Sequence, residues 1–208
     1  MESLLLIATV TAIHLLAVMS PGPDFMMAVR NSLTYSRKTG IWTAVGFGLG
    51  ISVHIFYSVA GLAFIISQSI LLFSAIKLFG AAYLVFIGIK SLRTKAGAIE
   101  MSEQVQHADI SRASAVKMGF LTNVLNPKAT VFFLSLFTIV LSPNTPAPIL
   151  AATSAIMVVN TVLWFSLVAV LFTQKKVRSV FGRYQSIFNK TFGGLLVALG
   201  IKVALTNK

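Results

Sequence analysis

The sequence predicts an all-α integral membrane protein: six transmembrane helices in two inverted three-helix repeats, with helices one and four broken at proline motifs. Three observations lead there. Of 208 residues, 56% are hydrophobic and 11% charged, with a mean hydropathy of +0.87, whereas soluble domains carry about 25% charged residues. Stretches free of Asp, Glu, Lys and Arg run from Thr39 to Ile76 and from Ala129 to Gln174, each longer than the roughly 20 residues that one helical span requires. Finally, the two halves of the chain share motifs in the same order.

Six spans fit this pattern: 4–29, 41–66, 69–92, 118–141, 148–172 and 186–206. They form a single transmembrane domain, with repeat one over 4–92, a linker over 93–117 and repeat two over 118–206. The first span could pass for a signal sequence, but it lacks a basic start and a small-residue cleavage site, so it is expected to be retained. The linker holds Glu100, Glu103, His107 and Asp109 among small residues and reads as a flexible connection.

The net charge of +12 would suggest nucleic acid in a soluble chain. Here the cations fall between apolar segments, so they set topology and no nucleic-acid partner is expected. Arg30, Arg37 and Lys38 follow span one; Arg93, Lys95, Arg112 and Lys117 follow span three; Lys175, Lys176, Arg178 and Arg183 follow span five. The loops around Gln68 and at "SPNTPAP" (142–148) carry none. Cytoplasmic basic loops place both termini outside. Lys77 and Lys202 then fall toward the outer side, where their long stems can snorkel to the interface.

The repeat rests on matched residues. "IKLFGAAYLVFIGIK" (76–90) aligns with "NKTFGGLLVALGIK" (189–202), pairing Lys77 with Lys190, Gly80 with Gly193, Gly88 with Gly200 and Lys90 with Lys202. The shift that places Pro21 on Pro127 also places His54 on Asn160. Three spans per copy is an odd number, so the copies must be inverted, an architecture of secondary transporters.

"MSPGPDF" (19–25) interrupts the first span and "LNP" (125–127) the fourth. In lipid an unpaired backbone group costs several kcal/mol, so such breaks survive only where they face protein or a wet cavity. Pro21 and Pro23 cannot donate, Gly22 permits unusual dihedrals, and residues before proline avoid the helical region. The half-helices starting near Pro23 and Pro127 aim their positive ends at the breaks, which suits a substrate carboxylate.

Asp24 is the only Asp or Glu in any expected span, and an aspartate at the centre of a membrane helix costs about 2.5–3.5 kcal/mol on insertion scales. It can bind a substrate ammonium, exchange a proton, or cap the second half-helix. Lys128, after Asn126 and Pro127, is a partner for Asp24 or for a substrate carboxylate, or else an interfacial snorkelling lysine. His54 and Asn160 either face the cavity or make ordinary interhelical hydrogen bonds. His14 has no matched polar residue and reads as packing. Gly46, Gly48, Gly50, Gly80 and Gly88 are expected at close helix contacts. No cysteine is present, and the sequence shows no phosphate-binding loop, no paired intramembrane carboxylates and no histidines at metal-ligand spacing. Neither an enzyme nor a cofactor or metal site is expected.

With "SPGPDF" in the first span, "GFLTNVLNPKATVFF" at the fourth and "KLFGAAYLVFIGIKSLR" in the third, the chain resembles the LysE/RhtB family of bacterial amino-acid exporters from Ser3 to Leu205. The resemblance implies proton-driven export of amino acids or their derivatives across the cytoplasmic membrane. It also makes Pro21, Gly22, Pro23, Asp24, Asn126, Pro127 and Lys128 the central motif residues. Combined with the residue reading, it gives a midplane site between the broken helices, exposed alternately as one half rocks against the other. The partners are then an amino acid, protons and lipid, with homo-oligomerisation left open. The alternatives are a metal-cation exporter, for which one acid and no cysteine make a poor site, and a non-transporting scaffold or partner subunit.

Overall fold

The computed structural model describes residues 2–94, 107–140 and 145–205. Glu100, Glu103 and the first three residues of "SPNTPAP" lie outside them. The described residues form eight helices and no strand: α1 (Glu2–Met19), α2 (Pro23–Thr34), α3 (Arg37–Gln68), α4 (Ile70–Arg93), α5 (Arg112–Val124), α6 (Pro127–Val140), α7 (Ala147–Leu171) and α8 (Lys175–Leu205).

Four of these, within α3, α4, α7 and α8, are long and apolar enough to cross a membrane. The pairs α1 with α2 and α5 with α6 add two more if each counts as one span; they are bent by 57° and 61° at their breaks. The protein is a multi-pass membrane protein, and its outer surface fits lipid: Leu71 and Phe79 are each 78% exposed and Phe56 73%. In water so much bare apolar surface would drive association.

Local chemistry sets the helix ends. Ser36, Ser69 and Ser111 each precede a helix and accept a hydrogen bond from the backbone N–H three residues on, at 3.2, 3.2 and 3.1 Å, a cap worth about 1 kcal/mol. Pro23 and Pro127 open α2 and α6, where the missing N–H would have had no helical partner anyway.

One boundary differs markedly from the sequence expectation. The apolar pattern predicts span six at 186–206 with a basic loop before it, yet α8 already begins at Lys175 and carries Lys175, Lys176, Arg178 and Arg183 on its first turns. Lys and Arg are good helix formers, so the helix outruns its apolar part. Arg178 donates to the carbonyls of Phe172 and Thr173 at 3.0 and 3.3 Å, satisfying groups freed at the end of α7.

Two apolar clusters fill the interior. One joins Ile51 and Ile55 of α3, Phe132, Phe133 and Phe137 of α6, Met157 of α7 and Leu196 of α8. The other surrounds Phe25 of α2 with Phe47, Phe165 and Phe172. Glycines bring two helix pairs into backbone contact. A Cβ on Gly46 of α3 would collide with the Val116 carbonyl of α5, and one on Gly119 with the Thr43 carbonyl. In α4 and α8, a Cβ on Gly88 or on Gly193 would lie 2.7 Å from the other's carbonyl oxygen.

Candidate functional site

The two breaks meet. Between Met19 and Pro23 the chain leaves the helix, with Ser20 N–H still bonded to the Ala17 carbonyl at 3.2 Å. Gly22 has φ −172° and ψ −170°, a fully extended conformation open to any residue. The unusual dihedral expected of Gly22 is therefore absent, and its lack of a side chain leaves room instead for Lys128, whose Nζ would lie 3.4 Å from a Cβ there.

Asp24 occupies the first turn of α2 but does not cap it, since that end has no side-chain cap. Its carboxylate reaches across to the other break. Oδ2 accepts from Asn123 Nδ2 at 2.8 Å and from Asn126 Nδ2 at 3.1 Å, while Oδ1 is buried without a partner.

Asn126 works in both directions. Its Oδ1 accepts from the Lys128 N–H at 3.0 Å, capping α6, while its Nδ2 donates to Asp24. An amide offers both functions from separate atoms; an aspartate could cap but could not donate. Lys128 Nζ donates to the Ser20 carbonyl at 3.2 Å, filling an acceptor that the first break had left free.

These groups surround a cavity of about 50 Å³. Asp24, Asn123, Asn126, Lys128, Ser20 and Gly22 line it, with Phe25, Phe132, Phe133 and Phe165 as apolar walls. Pro21, Pro23 and Pro127 lie on the other side of the breaks, along a larger opening of about 310 Å³ that shares Ser20, Gly22, Asn126 and Lys128 with the cavity.

His14, which the sequence reading assigned to packing, lines the cavity together with Thr161. It is fully buried, its Nε2 lies 3.5 Å from Thr161 Oγ1, and Nδ1 has no partner. Asn123, in the last turn of α5, was also missed, although a further polar residue beside the break in an apolar span is itself a signal of function. With Asp24 Oδ1, His14 Nδ1 and Asn123 Oδ1 unpaired, the cavity wall presents several buried polar atoms that a ligand could satisfy.

His54 and Asn160 do not line the cavity. The His54 ring bonds the Asn123 carbonyl through Nε2 at 2.9 Å and the Tyr57 hydroxyl through Nδ1. Since a carbonyl only accepts, Nε2 carries the hydrogen and Nδ1 accepts from Tyr57. His54 thus satisfies one of the last carbonyls of α5 and positions Asn123. Asn160 lies on α7 beside Thr161 with its Nδ2 buried and unpaired. His54 therefore follows the interhelical alternative, and the sequence pairing of the two does not give matching environments.

At the other end of the same helices, the carboxylate of Asp109 accepts from Ser36 Oγ at 2.7 Å and from Thr39 Oγ1 at 2.6 Å. These hydroxyl donors, with Lys38 nearby, hold its pKa below the usual carboxylate value. The His107 N–H donates to the Thr34 carbonyl at 2.7 Å, so the end of the linker is tied to the α2–α3 turn.

Paired helix breaks around buried, unsatisfied polar groups within an apolar helical bundle define a membrane transport protein. The comparisons agree. The LysE type translocator description matches residues 15–207, and the chain belongs to that family; it is a translocator and not an enzyme. It is 29% identical to the threonine efflux protein of Escherichia coli (strain K12) over 98% of this chain and 99% of that one. Identity to the threonine efflux protein of Salmonella typhi is likewise 29%, with the same coverage. The uncharacterized membrane protein YrhP of Bacillus subtilis (strain 168) is 31% identical over 99% of this chain and all of its own. No solved structure matches the chain.

Proposed function

We propose that this protein exports small amino acids, threonine among them, from the cytoplasm by proton antiport. The observation that carries the reading is Asp24: one oxygen held by two asparagines of the opposite break, the other buried and unpaired beside the cavity. An amino-acid ammonium suits that oxygen, and so does a proton. Lys128 and the N-terminal end of α6 suit the carboxylate. The names of the threonine efflux relatives support the substrate class. His14 and Thr161 supply hydrogen-bonding capacity for a side-chain hydroxyl.

Antiport requires that proton-loaded and substrate-loaded forms favour opposite-facing states, because a ligand without differential affinity shifts no equilibrium. One carboxylate that accepts either a proton or an ammonium provides that competition. The positive charge of the basic loops supports an orientation with the α2–α3 turn and the 93–117 linker in the cytoplasm and both termini outside the bacterial cytoplasmic membrane. The inverted repeat is supported by the two similar bends and by the pairing of α3 with α7 and of α4 with α8, since elements related by a two-fold axis can pack on one another.

Purified protein in liposomes tests the reading: threonine efflux should follow an imposed pH gradient and collapse when the gradient is dissipated. Absence of flux, or flux indifferent to the gradient, would refute it. A reporter fused after Lys208 that reads cytoplasmic would refute the orientation.

A further inference from the structure

Beyond the central cavity, the opening of about 310 Å³ runs from the two breaks along α4 and α8 to Lys90 and Thr94 at the end of α4. Its chemistry differs from that of the cavity. Lys90 is an exposed cation near its mouth, and Lys128 stands at its floor. Between them, Asn189 is only 3% exposed, and its Nδ2 has no partner. The Asn189 carbonyl is already occupied by Ser91 Oγ at 2.8 Å, so the backbone is tied down while the amide side chain remains unpaired. Among the described residues lining this opening none is acidic. By contrast, the cleft between α1 and α8, about 60 Å³, is lined by apolar side chains alone.

A buried amide donor without a partner needs an explanation. Here it lies between two lysines along a route to the cavity. We infer that this vestibule is a second, recruiting site, in which Lys90 and Asn189 bind the carboxylate of an incoming amino acid before the ammonium reaches Asp24. The inference rests on the export reading and adds an order of events to it. Cations at the entrance capture the zwitterion by its negative end. Lys128, which lines both spaces, then takes over that carboxylate, and the ammonium turns toward Asp24 Oδ1. Vestibule donors and cavity acceptor thus meet opposite ends of one ligand.

The test uses everted membrane vesicles carrying the full chain, with radiolabelled threonine offered to the cytoplasmic face. Lys90→Gln should raise KM on that face about tenfold, the loss expected for one charge-assisted hydrogen bond. The loss should appear in KM rather than kcat, and KM measured from the opposite face should not change. Lys90→Arg should restore the wild-type value. Inhibition by 2-hydroxybutyrate, which keeps the carboxylate and lacks the amine, should weaken in Lys90→Gln, whereas inhibition by threoninol, which lacks the carboxylate, should not. Wild-type KM in both Lys90→Gln and Asn189→Ala, or an equal rise on both faces, would overturn the recruiting site. Absence of saturable uptake by the wild type would instead overturn the export reading itself.

Discussion

The two helix breaks bend by nearly the same angle, 57° and 61°, yet carry opposite chemistry. The first, around Pro21 and Pro23, contributes acceptors: the Asp24 carboxylate and the Ser20 carbonyl. The second, around Pro127, contributes donors: Asn123, Asn126 and Lys128. Each reaches across to satisfy the other, and neither would be tolerable alone in a low-dielectric interior. Similar geometry with divergent charge makes a site with a negative end and a positive end, as a zwitterion requires.

The largest expected effect comes from erasing the charge of the first break. Asp24→Asn should abolish gradient-driven threonine transport while leaving membrane insertion and thermal stability near wild type, measured in liposomes and by melting in detergent. Full export by that variant would break the comparison. Next, Asn126→Asp keeps the cap on α6 but replaces a donor facing Asp24 with a second acid. It should lower transport more than Asn126→Ser, which leaves Asp24 short of one donor, and it should destabilise the protein by about 1–3 kcal/mol. Equal activity of the two variants would show that Asp24 does not depend on the second break.

His54→Phe offers a gentler probe. It preserves the stacking with Phe133 but removes the bonds to the Tyr57 hydroxyl and to the Asn123 carbonyl, which keeps its bond from the Asn126 N–H, at a cost of about 0.5–1.5 kcal/mol. Its effect should appear in stability and in substrate KM together, because it acts through Asn123.

The smallest effect lies outside the membrane. The pKa of Asp109 is depressed by Ser36 and Thr39, so its contribution is present above the unfolded-state value and is lost as pH falls through the folded-state one. Below about pH 4, and in Asp109→Asn at any pH, protection of the Tyr35–Thr39 amides against hydrogen exchange, relative to their intrinsic rate at that pH, should fall, with transport kinetics little changed.

The breaks were legible in the sequence because proline and the residue preceding it restrict the backbone locally, whatever surrounds them. The start of α8 was not, because apolarity marks what lipid covers while helix propensity extends past it through Lys175 and Arg178. His14 was hidden for a different reason. It shares a buried stripe with Val10 and Ala17, but α1 is apolar on every face, so no periodicity distinguishes the side toward the cavity from the side toward lipid. His54 stood out as a lone polar residue in a span, and the sequence could not reveal that its task is to hold a carbonyl of α5.

The glycine contacts bear on how such a molecule can move. Gly46 with Gly119 and Gly88 with Gly193 join helices from opposite halves of the chain, backbone against backbone, where no side chain can re-pack to absorb sliding. Rocking one half of the chain as a body against the other, as the sequence suggested, would tear both seams. The mechanical parts are therefore cross-linked couples, α3 with α5 and α4 with α8. A stroke that exposes Asp24 to the far side would then turn at Ser69, the joint between these couples, and at Ser20–Gly22, Tyr35–Ser36 and Leu125–Asn126, which connect α1, α2 and α6 to them.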